Sequence, residues 1–129
     1  MKYLPIFLIL SLAFGSCKEK CKDAICTMEF AIVGVTIESS NNPNLEGITT
    51  RTSFSGSGNV IHDQGEPFHL NNFRIIDDSD LEKIGFNNQK SVLFEVFLNQ
   101  KLIHSETYIV GADCCHVRKE SGKDNIVLD

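Results

Sequence analysis

The cysteines of this chain stand in two groups far apart in the sequence, and their spacing restricts the fold more than any other feature. Three lie near the start, and two are neighbours towards the other end: Cys17, Cys21, Cys26, Cys114 and Cys115. An even set of cysteines in an exported domain is typical of a disulfide framework. The leader described below accounts for Cys17, which leaves four cysteines for two crosslinks.

The neighbouring pair limits how these four cysteines can be connected. A bridge between Cys114 and Cys115 would be strained, because consecutive Cα atoms lie about 3.8 Å apart and bridged ones about 4.4–6.8 Å apart. On a strand, the two side chains would point to opposite faces and reach different partners. We therefore expect Cys21 and Cys26 each to be bonded to one member of the pair, in either combination. A bridge from Cys26 would close a loop of about 90 residues and, in the chain-entropy model, add on the order of 4–5 kcal/mol to the free energy of unfolding.

A metal site is the competing interpretation of the same residues. Cys114, Cys115 and His116 offer thiolates and an imidazole to zinc or copper(I). However, the spacing of Cys21 and Cys26 is wider than in zinc knuckles, and neighbouring ligands on a strand diverge. We therefore expect disulfides and no cofactor, and we keep a periplasmic metal-handling protein using Cys114, Cys115 and His116 as the alternative.

The first residues, MKYLPIFLILSLAFGSC, have the pattern of an export leader. Lys2 precedes an apolar run over residues 3–14, and small residues then lead to Cys17. The run is well short of the roughly 20 residues that a transmembrane helix needs. The stretch LAFGSC resembles the lipobox of bacterial lipoproteins, although Phe14 departs from the aliphatic residue usual at its position.

The lipobox resemblance implies a division of the chain. Residues 1–16 would be a lipoprotein signal peptide, Cys17 the site of lipid attachment, and residues 17–25 a lipid-anchored tether. Two or more acyl chains anchor a protein stably, whereas one does so only marginally. The alternative is an ordinary secreted protein in which Cys17 is an unpaired thiol.

Residues 26–129 alternate apolar and polar side chains in short runs that predict β-strands. The clearest runs are residues 31–37 and SVLFEVFL at 91–98, and the second is expected to turn at Asn99 and Gln100 into a hairpin. Loops are predicted at 55–59 and 62–67. The number and spacing of the runs predict an all-β fold: an antiparallel, Ig-like or transthyretin-like β-sandwich of about seven strands.

The stretch DDSDLEKIG at residues 77–85 predicts one short helical turn. Ser79 and Glu82 have the spacing of a capping box, and Gly85 is placed to end the turn. The acids lack the pattern of a calcium-binding EF-hand loop. We therefore expect them to be solvated.

Two stretches, CTMEFAIVGVTI and GADCCHV, resemble small, mostly uncharacterised lipoproteins of Bacteroidota-type bacteria. Cys26, Thr27, Glu29 and Phe30 match a CT-x-EF motif, and residues 111–117 match the second motif. The resemblance implies a transthyretin-like or carboxypeptidase-regulatory-like β-sandwich with its crosslink, and it implies no activity. The middle of the chain departs from it, since Asn99 and Gln100 stand where an Asn-Gly turn is expected.

Neither the GxSxG motif of hydrolases nor the HExxH motif of metalloproteases occurs in the chain. His62, His69, His104 and His116 fall on separate predicted elements, and their roles are left open. His62 and His69 could form a weak metal site with Asp63 and Glu66, but an exposed loop is the simpler interpretation, as is a surface or packing role for His116.

We therefore expect a non-enzymatic envelope lipoprotein that acts as a binding or accessory module. Its partners would be a membrane, through the lipid anchor, and an unidentified protein. The outer membrane is favoured over the inner one, and the domain would face the periplasm or the cell surface. The formal net charge of −5 and the lack of a basic cluster argue against nucleic acid.

Overall fold

The alternation of apolar side chains folds into two facing β-sheets that enclose one core. The computed structural model describes residues 21–129. The predicted signal peptide, Cys17 and the first part of the tether lie outside the described residues. Val35 and Ile37 from one sheet and Phe94 and Val96 from the other are fully or almost fully buried in the shared core. The predicted all-β sandwich is confirmed.

The described residues form nine strands, two more than the seven or so predicted. They are β1 (Ile32–Ser39), β2 (Ile48–Phe54), β3 (Val60–Gly65), β4 (Pro67–His69), β5 (Asn72–Asp77), β6 (Asn88–Leu98), β7 (Lys101–Ala112), β8 (Val117–Ser121) and β9 (Asn125–Leu128). One sheet has the order β4-β5-β1-β9, and the other has the order β3-β2-β6-β7-β8. None of the helical segments within residues 21–129 has the length and hydropathy of a membrane-spanning helix.

One pair of strands departs from the antiparallel expectation. β9 pairs with β1 in parallel register, with Thr36 opposite Asn125 and Ser39 opposite Leu128. β8 belongs to the other sheet, and the chain crosses between the sheets after Ser121 without reversing its direction. Because β1 runs in that same direction, β9 lies parallel to it.

The polar stretch predicted as a loop at 62–67 is largely strand, and this prediction was wrong. β3 pairs with β2, with His62 opposite Thr52 and Gly65 opposite Thr50. Because β3 is an edge strand, its outward residues meet water and need no apolar alternation. β4 and β5 are separated by a turn at residues 70–71, where Leu70 adopts a φ of 47°.

The helical turn is present, but it begins differently from the prediction. A 3₁₀ turn, Asp78–Asp80, leads into α1 (Leu81–Ile84). Asp77 is the N-cap: its carboxylate accepts the Ser79 N–H at 2.9 Å, and Asp80 accepts the Asp77 N–H at 3.0 Å. The predicted Ser79–Glu82 box was therefore wrong, because the added 3₁₀ turn places the cap two residues earlier. Gly85 ends α1 with a φ of 93°, as predicted.

Strands β6 and β7 form the predicted hairpin, which runs the length of the sandwich. β6 has 11 residues and therefore spans about 33 Å. We call the end of the sandwich at the β6–β7 turn the hairpin end. At the opposite end, β7 finishes at Ala112, beside the start of β6 at Asn88.

The β6–β7 turn offers a simple stability prediction. Asn99 and Gln100 have φ values of 47° and 70°, a conformation that costs a non-glycine residue roughly 1 kcal/mol. Replacing Gln100→Gly should raise the free energy of unfolding by up to about 1 kcal/mol, measured by urea denaturation. Lys101→Gly, one residue later and within β7, is the control and should be destabilising. A Gln100→Gly protein less stable than the parent would contradict this account of the turn.

Candidate functional site

The two sequence motifs meet at the end of the sandwich opposite the hairpin end. Cys21 is bonded to Cys114 and Cys26 to Cys115, with Cα atoms 5.3 and 5.2 Å apart. The expected crosslinks between the two cysteine groups are confirmed, and the structure selects one of the two combinations left open. We call this end, with both disulfides, the stapled end.

The neighbouring cysteines diverge for a reason other than the one predicted. Cys114 and Cys115 lie in the loop between β7 and β8, not on a strand. The Asp113 carboxylate turns this loop, because one of its oxygens accepts the N–H groups of Cys115 at 2.6 Å and His116 at 2.8 Å. These two hydrogen bonds hold the pKa of Asp113 below its usual value. The turn, rather than strand alternation, directs the two sulfurs to different partners.

A hydrogen-bonded chain of three side chains lies beside the disulfides. The Thr27 hydroxyl is 2.9 Å from Nε2 of His116, and Nδ1 of His116 is 2.7 Å from a carboxylate oxygen of Asp78. The hydrogen bond to Asp78 raises the pKa of His116. His116 was expected to have a surface or packing role, and this contact was not predicted. The signal was available, because Thr27 and His116 belong to the two motifs.

The order of hydroxyl, imidazole and carboxylate resembles that of a nucleophilic triad. We interpret these three hydrogen-bonded side chains instead as a structural clamp, meaning a set of contacts that holds neighbouring segments together. Asp78 also accepts the backbone N–H groups of Ala31 and Val117, each at 2.8 Å, and so ties the start of β1 to the start of β8. Burial raises the pKa of Asp78, but these bonds and the one from His116 outweigh it and lower the pKa. Four cavities of about 190–680 Å³ in the described chain are all lined by other side chains.

A second cluster of acids is buried instead of solvated. Asp80 is fully buried; one of its oxygens lies 2.7 Å from Nε2 of His62 and the other accepts from Lys83 at 2.9 Å. Asp77 is almost fully buried and accepts from Arg74 at 2.6 Å. The expectation of solvated acids was wrong here, because each buried carboxylate has a cationic partner that offsets its desolvation.

His62, Asp77 and Asp80 place possible metal-ligand atoms within 4.8 Å of one another. The nitrogen and oxygen atoms that could bind a metal ion are already paired: His62 with Asp80, and the two carboxylates with Arg74 and Lys83. These two cations would compete with a metal ion. The cluster therefore suits an internal ion-pair network better than a metal centre. His69, Asp63 and Glu66, considered earlier as partners of His62 in a weak metal site, do not belong to this cluster and are exposed.

This network predicts loss of stability in acid. Burial raises the pKa of Asp80, but bonds from His62, Lys83 and the Asp77 N–H outweigh it and bring the pKa from 3.8 to about 2. Because its pKa is lower in the folded than in the unfolded chain, ionised Asp80 stabilises the fold fully above about pH 4. This stabilisation is lost as the pH falls from about 4 through about 2. Asp80 alone should contribute about 2 kcal/mol of this loss.

Urea denaturation from pH 8 to pH 2 tests this prediction. His116, whose pKa is raised, adds stability at low pH that is lost as the pH rises past its folded-state pKa. Stability should therefore be highest between about pH 4 and 6.5. Asp80→Asn should show a clearly smaller loss between pH 4 and pH 2. Equal losses in the parent and the variant would contradict the assigned role of Asp80.

The hairpin end holds a cavity of about 420 Å³ between the two sheets. Its apolar lining comes from both sheets: Ile48, Leu98, Ile103, Val127 and Leu128. Its polar lining is Ser39, Asn41, Asn42, His104 and Asp129. The volume and the mixture of apolar walls with a few polar groups are typical of small-molecule sites.

Comparisons with protein families, with curated proteins and with solved structures found no match for this chain. We therefore infer the function from the geometry of the two ends of the sandwich.

Proposed function

We propose that the chain is a lipoprotein of the bacterial cell envelope, anchored through lipid at Cys17, and that its sandwich is a non-enzymatic binding module. The observation that carries the proposal is the position of the two disulfides. Both join the segment that follows Cys17 to the same end of the sandwich. A domain held to a membrane only by its N-terminal segment benefits from such covalent fixation.

The chain length between anchor and crosslink determines the orientation. Cys21 follows Cys17 by four residues, which span at most about 14 Å. The stapled end would therefore lie next to the membrane. The hairpin end, about 33 Å away along β6, would face the aqueous compartment with its cavity. We assign binding to that cavity.

An envelope location agrees with the chemistry of the described residues. Disulfides persist in oxidising compartments such as the periplasm and the cell surface. We favour the outer membrane over the inner one, with the domain facing either the periplasm or the exterior. The acidic net charge of −5 does not favour nucleic acid as a partner.

The metal-handling alternative has less support. Cys114 and Cys115 are in disulfides, and thiolates are the form that binds zinc or copper(I). His116 has contacts at both of its ring nitrogens. A metal role would therefore require reduction of both crosslinks and release of the histidine.

Metabolic labelling tests the anchor. The full-length chain is expressed in a Gram-negative host that is supplied with an alkyne analogue of palmitate. The protein should take up the label and sediment with membranes, whereas Cys17→Ser should do neither. Ser16→Ala, which keeps a small residue before the cysteine, is the control and should behave like the parent. Equal labelling of the Cys17→Ser protein would contradict lipid attachment at this residue.

Nuclear magnetic resonance titration tests the cavity. Octylamine and octanoate are suitable probes because they share an apolar tail and differ in charge. The carboxylate of Asp129 lies in the lining, so we expect the amine to bind more tightly. Its addition should shift the backbone signals of Ile103 and Val127. Ile103→Arg should abolish these shifts, whereas Leu102→Arg, on the neighbouring exposed residue, should preserve them. Absence of shifts around the cavity with both probes would contradict the assignment.

A further inference from the structure

Three apolar side chains of the segment at the stapled end project into water. The exposed fractions are 97% for Ile25, 104% for Met28 and 61% for Phe30. Single exposed apolar residues are common, but several close together in sequence and near a crosslink call for an explanation. Phe30 also borders a side cavity of about 410 Å³, where Ile32 and Phe68 are the other apolar residues and Glu66 and Arg74 are among the polar ones.

This exposure does not arise from a loosely attached tail. The segment is fixed by the Cys21–Cys114 and Cys26–Cys115 bonds, by Thr27 to His116, and by the Ala31 N–H to Asp78. The backbone is thus held at points on both sides of Ile25 and Met28. The fold presents these side chains outwards without using them in its core.

The distance to the anchor identifies what can cover them. Cys21, the first fixed point of the segment, lies within about 14 Å of Cys17 along the chain. The polar region of each leaflet is roughly 5–8 Å thick outside the hydrocarbon core. With an acylated Cys17, the stapled end therefore lies at or within reach of the headgroups.

We propose that Ile25, Met28 and Phe30 insert into the interfacial region of the bilayer that carries the anchor. The inference rests on the proposed lipid attachment at Cys17. The occupant is a zwitterionic phospholipid surface, because apolar side chains supply the contact and the acidic chain offers no net attraction to anionic lipid. The contact fixes the sandwich upright, with the hairpin end pointing away from the membrane.

Tryptophan fluorescence provides the test, since the chain contains no tryptophan. Met28→Trp creates a single reporter at a fully exposed position, so the core is undisturbed. Leu102→Trp places the matched control at the hairpin end, where Leu102 is 48% exposed. Each full-length, lipidated variant is reconstituted into phosphatidylcholine vesicles with and without brominated acyl chains.

Met28→Trp should emit at shorter wavelength in vesicles than in the unlipidated domain and should be quenched by brominated lipid. Leu102→Trp should keep a water-exposed emission and escape quenching. Equal quenching of both reporters, or none at Met28→Trp while the protein still floats with the vesicles, would overturn the contact but leave the anchor intact. A concentration-dependent blue shift of Met28→Trp without vesicles would overturn it in favour of self-association. Failure of the parent to float with vesicles would overturn the anchor itself.

Discussion

Removal of both disulfides is expected to lower the free energy of unfolding by about 7 kcal/mol, whereas removal of either one costs only about 2 kcal/mol. The crosslinks span 93 and 89 residues and are interleaved, since Cys26 lies inside the first span and Cys115 just outside it, so the first to form closes almost the whole domain. The second then closes only the short ring through residues 21–26 and 114–115. A single bridge considered alone would be assigned about 4–5 kcal/mol, which overstates the cost of its removal.

The experiment compares three variants by urea denaturation: Cys21→Ser with Cys114→Ser, Cys26→Ser with Cys115→Ser, and all four together. The first two should be folded and the third largely unfolded, because small domains have a total stability of roughly 5–15 kcal/mol. Cys17→Ser, outside both crosslinks, should leave the stability of the soluble domain unchanged. If either single removal cost as much as the double removal, the short second ring would not describe how the two crosslinks share their stabilisation.

Replacing Asp80→Ala is expected to destabilise the domain by about 3–5 kcal/mol. Asp80 is fully buried and accepts hydrogen bonds from His62, Lys83 and the Asp77 N–H. Its removal leaves these donors without their acceptor, and the Asp77 N–H belongs to an almost fully buried residue. An unsatisfied buried donor costs about 1–3 kcal/mol by itself.

The matched control for Asp80→Ala is Glu82→Ala in the same helical turn. Glu82 is exposed, so its removal should change the free energy of unfolding by no more than about 0.5 kcal/mol. Asp80→Asn should fall between the two, because the amide oxygen can still accept from the Asp77 N–H. If Asp80→Ala lowered the free energy of unfolding by less than about 1 kcal/mol, the ion-pair network would contribute little to the stability of the fold.

Much of the sandwich could be predicted, because its central strands follow simple alternation. Val33, Val35 and Ile37 in β1 and Val92, Phe94 and Val96 in β6 all face the core as their spacing indicates. The edge strand β3 could not be predicted, since its outward residues meet water and its pairing depends on β2. The parallel pairing of β9 likewise depends on how the chain crosses between sheets, which the sequence pattern does not encode.

The stapled end was predicted in part. The number and spacing of the cysteines favoured crosslinks between the two groups, and the structure confirms them. The clamp of Thr27, His116 and Asp78 escaped prediction because its members are 38 and 89 residues apart and share no periodic pattern. Burial of Asp80 escaped it for the same reason: an acid of a surface-like turn becomes buried only when β3 supplies His62. The signal peptide and the lipid at Cys17 stay predictions.

The central claim is that a lipid-bearing Cys17 is followed at once by a doubly stapled segment. The most direct test is the intact mass of the full-length protein recovered from bacterial envelopes, alkylated under denaturing conditions with and without reductant. We predict a chain that begins at Cys17 and carries lipid mass, takes up no alkyl group without reductant, and takes up four after reduction. A chain without lipid mass, or with thiols at Cys114 or Cys115 that alkylate before reduction, would contradict the account.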